Sequence, residues 1–492
     1  AEGIVVSNPA TSVGQAGNGV PVVNIATPNG SGLSHNQFKD YNVGPNGVIL
    51  NNATGALQNT QLGGYIVGNP NLKGGAANVI LNEVNGGSPS QLRGYTEVAG
   101  QSAKVIVANP YGITCSGCGF INTPNVTLTT GKPMMDNVGR LDHYQVDGGA
   151  VTIDGEGLNA SNVDRFEIIT RTAKINAQIN ARELAVVAGR NDVDAKSLKA
   201  TARADDGSAK PELAIDSSAL GGMYAGAIKL VGTEAGVGVK LDGTLAASGG
   251  DIQLDANGHL SMAQTAASGA VNINAASLDA KGPVYAGTAL NVNTQGDLTN
   301  RQSLAARDRI ALSSGGTLTN GDIIEAGVNA DNTRNATGDV SLRGKAVTNT
   351  GASVIASRAL SVDAQALNNQ GGTLGAKQHT QITAATVDNQ NKGRILSNGG
   401  LAITADRLQN TQGGLVTSNA PLTAVVGEVN NQGGELSSLD TATLTVATLD
   451  NVAGLITAGN ALSLNVGSLN NQAGLVTSQG TVSVAGNSLD NR

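Results

Sequence analysis

The second half of the chain repeats one short pattern of apolar and polar positions. Between clusters of asparagine and glycine, apolar residues alternate with polar ones, as at Leu462, Leu464 and Val466. An alternation with a period of two predicts β-strands that bury one face, and the asparagine and glycine clusters predict turns. An asparagine recurs at steps of about 20 residues, a period typical of repeat proteins, at positions 300, 320, 349, 369, 389, 410, 431, 451, 471 and 491.

This repeat predicts an all-β fold, a parallel β-helix with one coil for each repeat. A unit of about 20 residues cannot bury its apolar face alone, but it can do so when similar units stack. The usual hand of parallel crossover connections makes the helix right-handed. Leucine-rich repeats have a similar period, but they require more leucines in each strand and an asparagine in mid-repeat. One step is longer than the others, and we expect its extra residues in the polar stretch 327–335.

The recurring asparagines are predicted to lie at stacked corners of the coils. Asparagine tolerates the left-handed backbone that a tight corner requires. Stacked side-chain amides can also hydrogen-bond to one another along the axis. We therefore expect a structural ladder, and not a ligand site, that includes Asn369, Asn389, Asn410, Asn431, Asn451 and Asn471.

The first half contains similar short strands at less regular spacing. We expect residues 4–6 and 20–25 to cap the first coil, because an open solenoid end exposes strand edges. The charged stretch 190–212 is predicted to leave the coil as an exposed loop or hairpin. The last residues keep the repeat register and show no cap, so we expect the chain to be the front piece of a longer protein.

Composition and charge narrow the classes of function. A net charge of −7 argues against nucleic-acid binding, which needs clustered lysine and arginine. No apolar run reaches the roughly 18 residues of a membrane helix. The start of the chain lacks the basic and apolar regions of a signal peptide, so the protein is either cytosolic or has had that peptide removed.

The two cysteines, Cys115 and Cys118, stand close together in the sequence. A zinc site requires a second pair of ligands, and the four histidines are far apart along the chain. A thioredoxin-like redox motif requires a βαβ unit, which the pattern does not predict. The spacing therefore favours a local disulfide over a metal site.

A polysaccharide-degrading β-helix enzyme is the rival class. Such an enzyme needs carboxylates and basic residues at matched positions of adjacent coils. The positions that recur are asparagine, glycine and leucine, and no lysine or arginine occurs between residues 408 and 491. Asp205 and Asp206 stand in the charged stretch, where a solvated loop is the simpler interpretation. We therefore expect no catalytic residue, metal or cofactor in this segment.

Distinctive motifs run through the first half in a fixed order. They include Asn69-Pro70-Asn71-Leu72 and Asn109-Pro110-Tyr111-Gly112. The full series occupies residues 18–25, 32–36, 38–43, 47–52, 69–72, 108–113, 220–225 and 231–234. Together these motifs resemble the secretion domain of two-partner secretion exoproteins, of the filamentous haemagglutinin and contact-dependent growth inhibition type. The later repeats resemble the haemagglutinin repeats of the same proteins.

The resemblance implies two domains. Residues 1–245 would form the secretion domain with its N-terminal cap, and residues 246–492 would begin a longer β-helical shaft. Such proteins enter the periplasm through a signal peptide that is then removed. They leave it through an outer-membrane β-barrel transporter of the TpsB type, whose POTRA domains recognise the secretion domain. In this family the two Asn-Pro motifs are tied to secretion, either by contact with the transporter or by setting turns. Tyr111 stands where asparagine is common, which weakens a strict requirement for asparagine there.

In the inhibition systems, the resemblance implies a shaft on the bacterial surface that presents a distal toxin to neighbouring cells through a receptor. A filamentous adhesin for host cells or biofilm is the alternative. The resemblance implies no cofactor and no nucleic-acid partner, and we expect a monomer.

Overall fold

The computed structural model describes residues 3–492, and its regular structure is almost entirely β-strand. The chain divides into two compact units, one that ends at Ala267 and one from Ser268 to Arg492. In each unit the strands of successive coils pair in parallel and in register. Each unit is therefore a parallel β-solenoid, which confirms the predicted fold class. Among residues 3–492, no helix is long and apolar enough to cross a membrane.

The first unit begins with the cap and the first coils. Its elements up to residue 129, in chain order, are β1 (Ile4–Val6), β2 (Ser12–Gln15), β3 (Pro21–Asn24), β4 (Leu33–Tyr41), β5 (Val48–Asn52), β6 (Leu57–Thr60), β7 (Gly64–Val67), a 3₁₀ helix (Pro70–Leu72), β8 (Val79–Val84), β9 (Ser90–Leu92), β10 (Tyr95–Gly100), β11 (Lys104–Ala108), β12 (Ile113–Cys115), β13 (Cys118–Ile121) and β14 (Asn125–Thr129).

The remaining strands of the first unit continue the coils and add an excursion. They are β15 (Lys132–Met135), β16 (Leu141–Gln145), β17 (Ala150–Ile153), β18 (Leu158–Thr170), β19 (Thr172–Ile175), β20 (Ile179–Ala188), β21 (Asn191–Asp194), β22 (Ala200–Ala202), β23 (Leu213–Ser217), β24 (Met223–Ala225), β25 (Ala227–Gly232), β26 (Gly238–Leu241), β27 (Leu245–Ala247), β28 (Ile252–Met262) and β29 (Thr265–Ala267).

Antiparallel strands cap the first coil. β1 pairs antiparallel with β4, and β2 pairs antiparallel with β3. β3 then pairs in parallel with β5, where the stacked coils begin. The cap thus covers a strand edge that would otherwise be open to pairing with another chain.

Three parallel sheets form the wall of the first unit. One sheet runs through β4, β8, β11, β14, β18, β20 and β25. A second runs through β9, β12, β17, β19, β23 and β26. A third runs through β5, β10, β13, β18, β20, β24 and β27. Alternate residues of each strand point inward, so valine, isoleucine and leucine fill a narrow core.

Two structures leave the coils of the first unit. β6 and β7 form an antiparallel hairpin. β15, β16, β21 and β22 form a four-stranded antiparallel sheet, which we call the outer sheet. Part of the charged stretch 190–212 is therefore a hairpin, as expected. The outer sheet packs Tyr144, Val146 and Val193 against Leu81 and Ile106 of the solenoid wall, which gives this unit a second small core.

The second unit consists of stacked coils with two or three strands each. Its strands are β30 (Val271–Ala280), β31 (Val284–Ala286), β32 (Ala289–Thr294), β33 (Leu298–Asn300), β34 (Ser303–Ala306), β35 (Arg309–Ser314), β36 (Thr317–Asn320), β37 (Ile323–Ala326), β38 (Asp339–Thr348), β39 (Ser353–Ala356), β40 (Ala359–Asn368), β41 (Thr373–Ala376), β42 (His379–Asp388), β43 (Arg394–Ser397), β44 (Gly400–Gln409), β45 (Leu415–Ser418), β46 (Leu422–Asn430), β47 (Glu435–Ser438), β48 (Ala442–Asp450), β49 (Leu455–Ala458), β50 (Leu462–Asn470), β51 (Leu475–Ser478), β52 (Val482–Ala485) and β53 (Ser488–Asp490). The extra residues of the long repeat lie between β37 and β38, as expected.

The repeated asparagines of the second unit form a buried ladder. Each side-chain Nδ2 donates to the Oδ1 of the asparagine one coil later, at 2.7–2.9 Å, from Asn300 through to Asn491. Most of these amides also donate to a backbone carbonyl, as Asn431 does to Leu455. The ladder therefore satisfies polar groups that the narrow core would otherwise leave unpaired.

The ladder asparagines do not themselves adopt the left-handed backbone, so that expectation is wrong. The positive φ angle lies two residues later, as at Gly433 (64°), Ala453 (54°) and Ala473 (53°). The N–H of Gly454 donates to the carbonyl of Asn451, which closes a four-residue turn. A turn with a positive φ at its third residue is type II. Asparagine instead begins the turn, where its side chain points inward to the ladder.

Candidate recognition site

The first Asn-Pro motif forms a turn that joins the cap to the first coil. Asn69 precedes the 3₁₀ helix, and its Oδ1 accepts the N–H of Asn71 at 2.9 Å. Its Nδ2 donates to the carbonyls of Ile25 and Asn51, each at 3.0 Å. Asn71 also donates to Ile25, and Leu72 is buried. Only 5% of Asn69 is exposed, so its amide serves the fold at this corner.

The second motif repeats this local geometry. Asn109 Oδ1 accepts the N–H of Tyr111 at 2.9 Å, and its carbonyl accepts the N–H of Gly112 at 3.1 Å. Its Nδ2 donates to the carbonyl of Ser88 and the hydroxyl of Ser90. Gly112 has a φ of 119°, which suits glycine. Asn109 is fully buried, whereas half of Tyr111 is exposed.

The structure therefore separates the predicted site residues into two groups. Asn69, Leu72, Asn109 and Gly112 are inside the corners they form, and Asn71 is half-buried. Pro70, Pro110 and Tyr111 face solvent. The two turns belong to different coils. A partner that binds the folded protein would reach the exposed group and not the asparagine amides.

An apolar surface lies directly before the first motif. The sequence motifs did not reveal it. Leu57, Tyr65 and Val67 of the β6–β7 hairpin are exposed by 67%, 71% and 72%. In the hairpin register Leu57 pairs with Val67, and Tyr65 lies two residues from Val67 on the same face. The opposite face buries Ile66 against the solenoid. We call Leu57, Tyr65 and Val67 the hairpin face.

A buried carboxylate holds the tip of this hairpin. Glu97 is almost fully buried, and its two oxygens accept the backbone N–H groups of Gln61 and Leu62 at 2.9 and 2.8 Å. Hydrogen bonds to a charged acceptor are stronger than neutral ones. The hairpin is therefore fixed to the wall at its tip. The short apolar run 65–67 between Gly64 and Gly68 is the signal that could have identified it.

The two cysteines form a disulfide at the corner between β12 and β13. Cys115 and Cys118 are both buried, with Cα atoms 5.4 Å apart. Across residues 3–492, no group of three or more His, Cys, Asp or Glu side chains could hold a metal ion.

The acidic pair of the charged stretch makes local contacts. Asp206 lies 3.1 Å from the Arg190 guanidinium, and the Asp205 carboxylate accepts the N–H of Gly207. Hydrogen bonds to Ser208 and the nearby Arg190 charge lower the pKa of Asp206. The Asp206 carboxylate is therefore stabilised as an anion within a loop.

The comparisons with known proteins agree with this architecture. The chain matches the TPS secretion domain over residues 2–262, and it matches the haemagglutinin repeat over residues 266–344, 335–405, 386–452 and 441–492. It is 55% identical over 311 residues to the 16S rRNA endonuclease CdiA of Enterobacter cloacae, covering 63% of this chain and 9% of that protein. It is 44% identical over 430 residues to the tRNA nuclease CdiA of Yersinia mollaretii, covering 86% of this chain and 14% of that protein.

The chain is also similar to solved structures. The crystal structure of a filamentous haemagglutinin secretion domain is 33% identical, with a TM-score of 0.46, and the match covers 66% of this chain and 95% of that one. Proteins with a TPS secretion domain reach the cell surface through a partner transporter in the outer membrane. The chain spans only about a tenth of the length of the two relatives above. Its match to the TPS secretion domain over more than half of its residues shows that the chain belongs to the two-partner secretion exoproteins.

Proposed function

We propose that this segment is the export and shaft portion of a contact-dependent inhibition protein. The observation that carries the proposal is the succession of a TPS secretion domain and haemagglutinin repeats in one chain, shared with relatives named as CdiA nucleases. Residues 1–245 engage the POTRA domains of a TpsB-type transporter after a signal peptide has brought the chain to the periplasm. The coils from residue 246 onward hold a distal toxin away from the cell as a monomeric shaft.

The relatives' names favour toxin delivery over adhesion. Several are named as nucleases or toxins. We place that nuclease chemistry, and contact with a target-cell receptor, outside this segment. The engagement of Asp205 and Asp206 with their own loop and with Arg190 supports a segment that is itself not catalytic.

The hairpin face is our candidate for the transporter contact. Its three large apolar side chains are exposed on a hairpin whose tip is fixed, and an exposed apolar face on a rigid element is typical of a binding surface. In this proposal the Asn-Pro turns act indirectly, because they set the corner from which the hairpin projects.

A binding experiment separates these two roles. The 492-residue chain is titrated with the purified periplasmic domains of its transporter, alongside variants that carry Tyr65→Ser with Val67→Ser, Asn69→Ala, or Leu439→Ser. Leu439 is also exposed but lies in the second unit, so Leu439→Ser is the matched control. We expect the double variant to lose at least tenfold in affinity, or about 1.4 kcal/mol, while its thermal unfolding is unchanged.

The Asn69→Ala variant should unfold at a lower temperature and lose affinity only in proportion to its unfolded fraction. Equal affinity of the double variant and the Leu439→Ser control would remove the hairpin face from the interface. A folded wild-type chain that fails to bind would contradict recognition of the folded state.

A further inference from the structure

A cavity of about 310 Å³ lies between the solenoid wall and the outer sheet. Its floor is a column of in-register residues on four successive strands of one sheet: Val79, Lys104, Asn125 and Arg165. Its other lining residues are Ser31, Leu33, Arg140, Leu141, Glu167, Ala195 and Lys196. The cavity is therefore built by two layers of the first unit that the fold holds against each other.

Its rim is tied together by side chains. Asn29 Nδ2 donates to the carbonyl of Gly139 at 2.8 Å, and Ser31 Oγ donates to the carbonyl of Val138 at 2.7 Å. These bonds connect the loop before β4 to the loop between β15 and β16. The two bonds fix the cavity wall by joining segments that are more than a hundred residues apart in the sequence.

The lining carries an excess of positive charge. Four of its side chains are cationic and one, Glu167, is anionic. Arg165 Nε lies 3.1 Å from Glu167 Oε1, and Arg140 Nε lies 3.2 Å from Asp136. Across the described residues 3–492, the ammonium groups of Lys104 and Lys196 have no ion pair or side-chain hydrogen bond. Two unpaired positive charges therefore remain in the cavity.

The neighbouring arginine side chains, by contrast, are paired with carboxylates. Arg190 lies 2.9 Å from Asp147, and Arg203 lies 2.8 Å from Asp147 and from Asp192. Arg171 is held by Glu234 at 3.2 Å. Each guanidinium near the outer sheet thus has a carboxylate within the protein. Unlike these arginines, Lys104 and Lys196 have no carboxylate within ion-pair distance among residues 3–492.

Lys104 is more buried than Lys196. Burial lowers its pKa, the Glu167 carboxylate opposes that effect, and the Arg165 guanidinium adds to it. Glu167 is itself buried and already bonded to Arg165 and to the hydroxyl of Thr127. A half-buried ammonium without a partner is unfavourable, and an anion that entered the cavity would remove that cost.

We propose that this cavity binds a phosphomonoester carried on a sugar-sized molecule. A phosphomonoester has a charge of about −1.5 to −2 at neutral pH, which matches the two unpaired ammonium groups. Ser31 and Asn125 supply polar groups for hydroxyls, and Leu33 and Leu141 supply apolar walls for a ring. The volume lies at the lower end of the range of small-molecule sites, which is about 300–1,000 Å³. The phosphate could be carried by a soluble sugar phosphate or by a lipid headgroup.

Calorimetric titration of the 492-residue chain tests the proposal. The soluble probe is glucose 6-phosphate, with glucose as its uncharged control. The lipid probe is a phosphatidylcholine vesicle that contains phosphatidic acid. The variants are Lys104→Met and Lys196→Met, and the matched control is Lys73→Met, an exposed lysine outside the cavity lining.

We expect saturable binding of glucose 6-phosphate, no binding of glucose, and wild-type affinity in Lys73→Met. Each cavity variant should bind about tenfold more weakly, because it removes one charge-assisted hydrogen bond to the phosphate. Binding to phosphatidic acid vesicles alone would assign the phosphate to a lipid headgroup. If circular dichroism shows that the Lys104→Met variant is unfolded, the test relies on Lys196→Met, because Lys196 is exposed. Absence of binding to both probes, or equal binding by cavity variants and control, would overturn the proposal.

Discussion

The ladder asparagines hydrogen-bond to one another inside the core of the second unit. Asn431 accepts from Asn410 and donates to Asn451, each at 2.8 Å, and it is fully buried. An unsatisfied buried polar group costs about 1–3 kcal/mol. Removing one amide leaves a donor on one side and an acceptor on the other with fewer partners. The ladder therefore couples each coil to both neighbours through the core.

The substitution Asn431→Ala should lower the free energy of unfolding of the second unit by about 2–4 kcal/mol, because it removes buried hydrogen bonds and leaves a small cavity. Asn430→Ala, one residue earlier and half-exposed, should cost less than about 1 kcal/mol. Urea denaturation measures the change, and hydrogen exchange over residues 410–455 reports it locally. Equal losses in the two variants would show that the ladder adds nothing to stability.

Buried tyrosines give the first unit a weakness at high pH. Burial and the nearby Glu167 carboxylate raise the pKa of Tyr144, and burial raises the pKa of Tyr41. Their unfolded pKa is near 10, so their contribution is fully present below pH 10 and declines above it, by up to about 1.4 kcal/mol per pH unit for each tyrosine.

Melting temperatures between pH 8 and pH 11.5 test this expectation. The first unit should lose stability above about pH 10, and Tyr144→Phe should reduce that loss. Tyr111→Phe removes a hydroxyl from a half-exposed ring and should leave the profile of the wild type unchanged. If the profile of Tyr144→Phe were identical to that of the wild type, the loss of stability at high pH could not be attributed to Tyr144.

At the scale of elements, the turn after each ladder asparagine sets the corner of the coil. Ala453 occupies the left-handed position with a φ of 54°, where a Cβ costs about 1–2 kcal/mol. Ala453→Gly should therefore stabilise the second unit by roughly 0.5–1 kcal/mol, after the greater entropy loss of glycine is subtracted.

The control for this change is Ala366→Gly, on an exposed position of β40, which should destabilise by about 0.5–1 kcal/mol. Thermal unfolding of both variants gives the comparison. A loss of stability in Ala453→Gly as large as in the control would mean that the corner is not strained.

The regular coils could be predicted from the sequence, and the outer sheet could not. Period-two alternation with a 20-residue repeat specifies which strand face is buried and which coils stack. β15 and β16 are as short as many of the coil strands, so their length does not mark them as leaving the wall. Only the charge of the stretch 190–212 pointed to an excursion. The left-handed corner was misplaced because asparagine and glycine both favour turns, and only the ladder geometry decides between them.

The candidate site could also be predicted only in part from the sequence. The Asn-Pro motifs predict turns, but they do not reveal that Asn69 and Asn109 are buried by neighbouring coils that lie far away in sequence. The hairpin face depends on Glu97 to fix its tip, a contact between residues 35 and 36 positions apart. Long-range contacts of this kind cannot be recognised from local spacing alone.

At the scale of the whole molecule, the stacked coils would suit the export through a transporter that we propose. Each coil of either unit offers in-register backbone groups and an apolar face to the next one. A coil that folds on the outer surface therefore gains hydrogen bonds and buried area as soon as it meets its predecessor. The disulfide closes so short a loop that it adds little width to a chain in transit.

The most direct test is secretion that depends on the partner. The 492-residue chain, expressed behind a cleavable signal peptide, is followed in cells with and without its TpsB-type transporter. We expect folded, protease-resistant protein in the medium or on the cell surface only when the transporter is present. Without the transporter, we expect the protein to stay in the periplasm. Equal amounts outside the cell in both strains, or none in either, would contradict export by two-partner secretion.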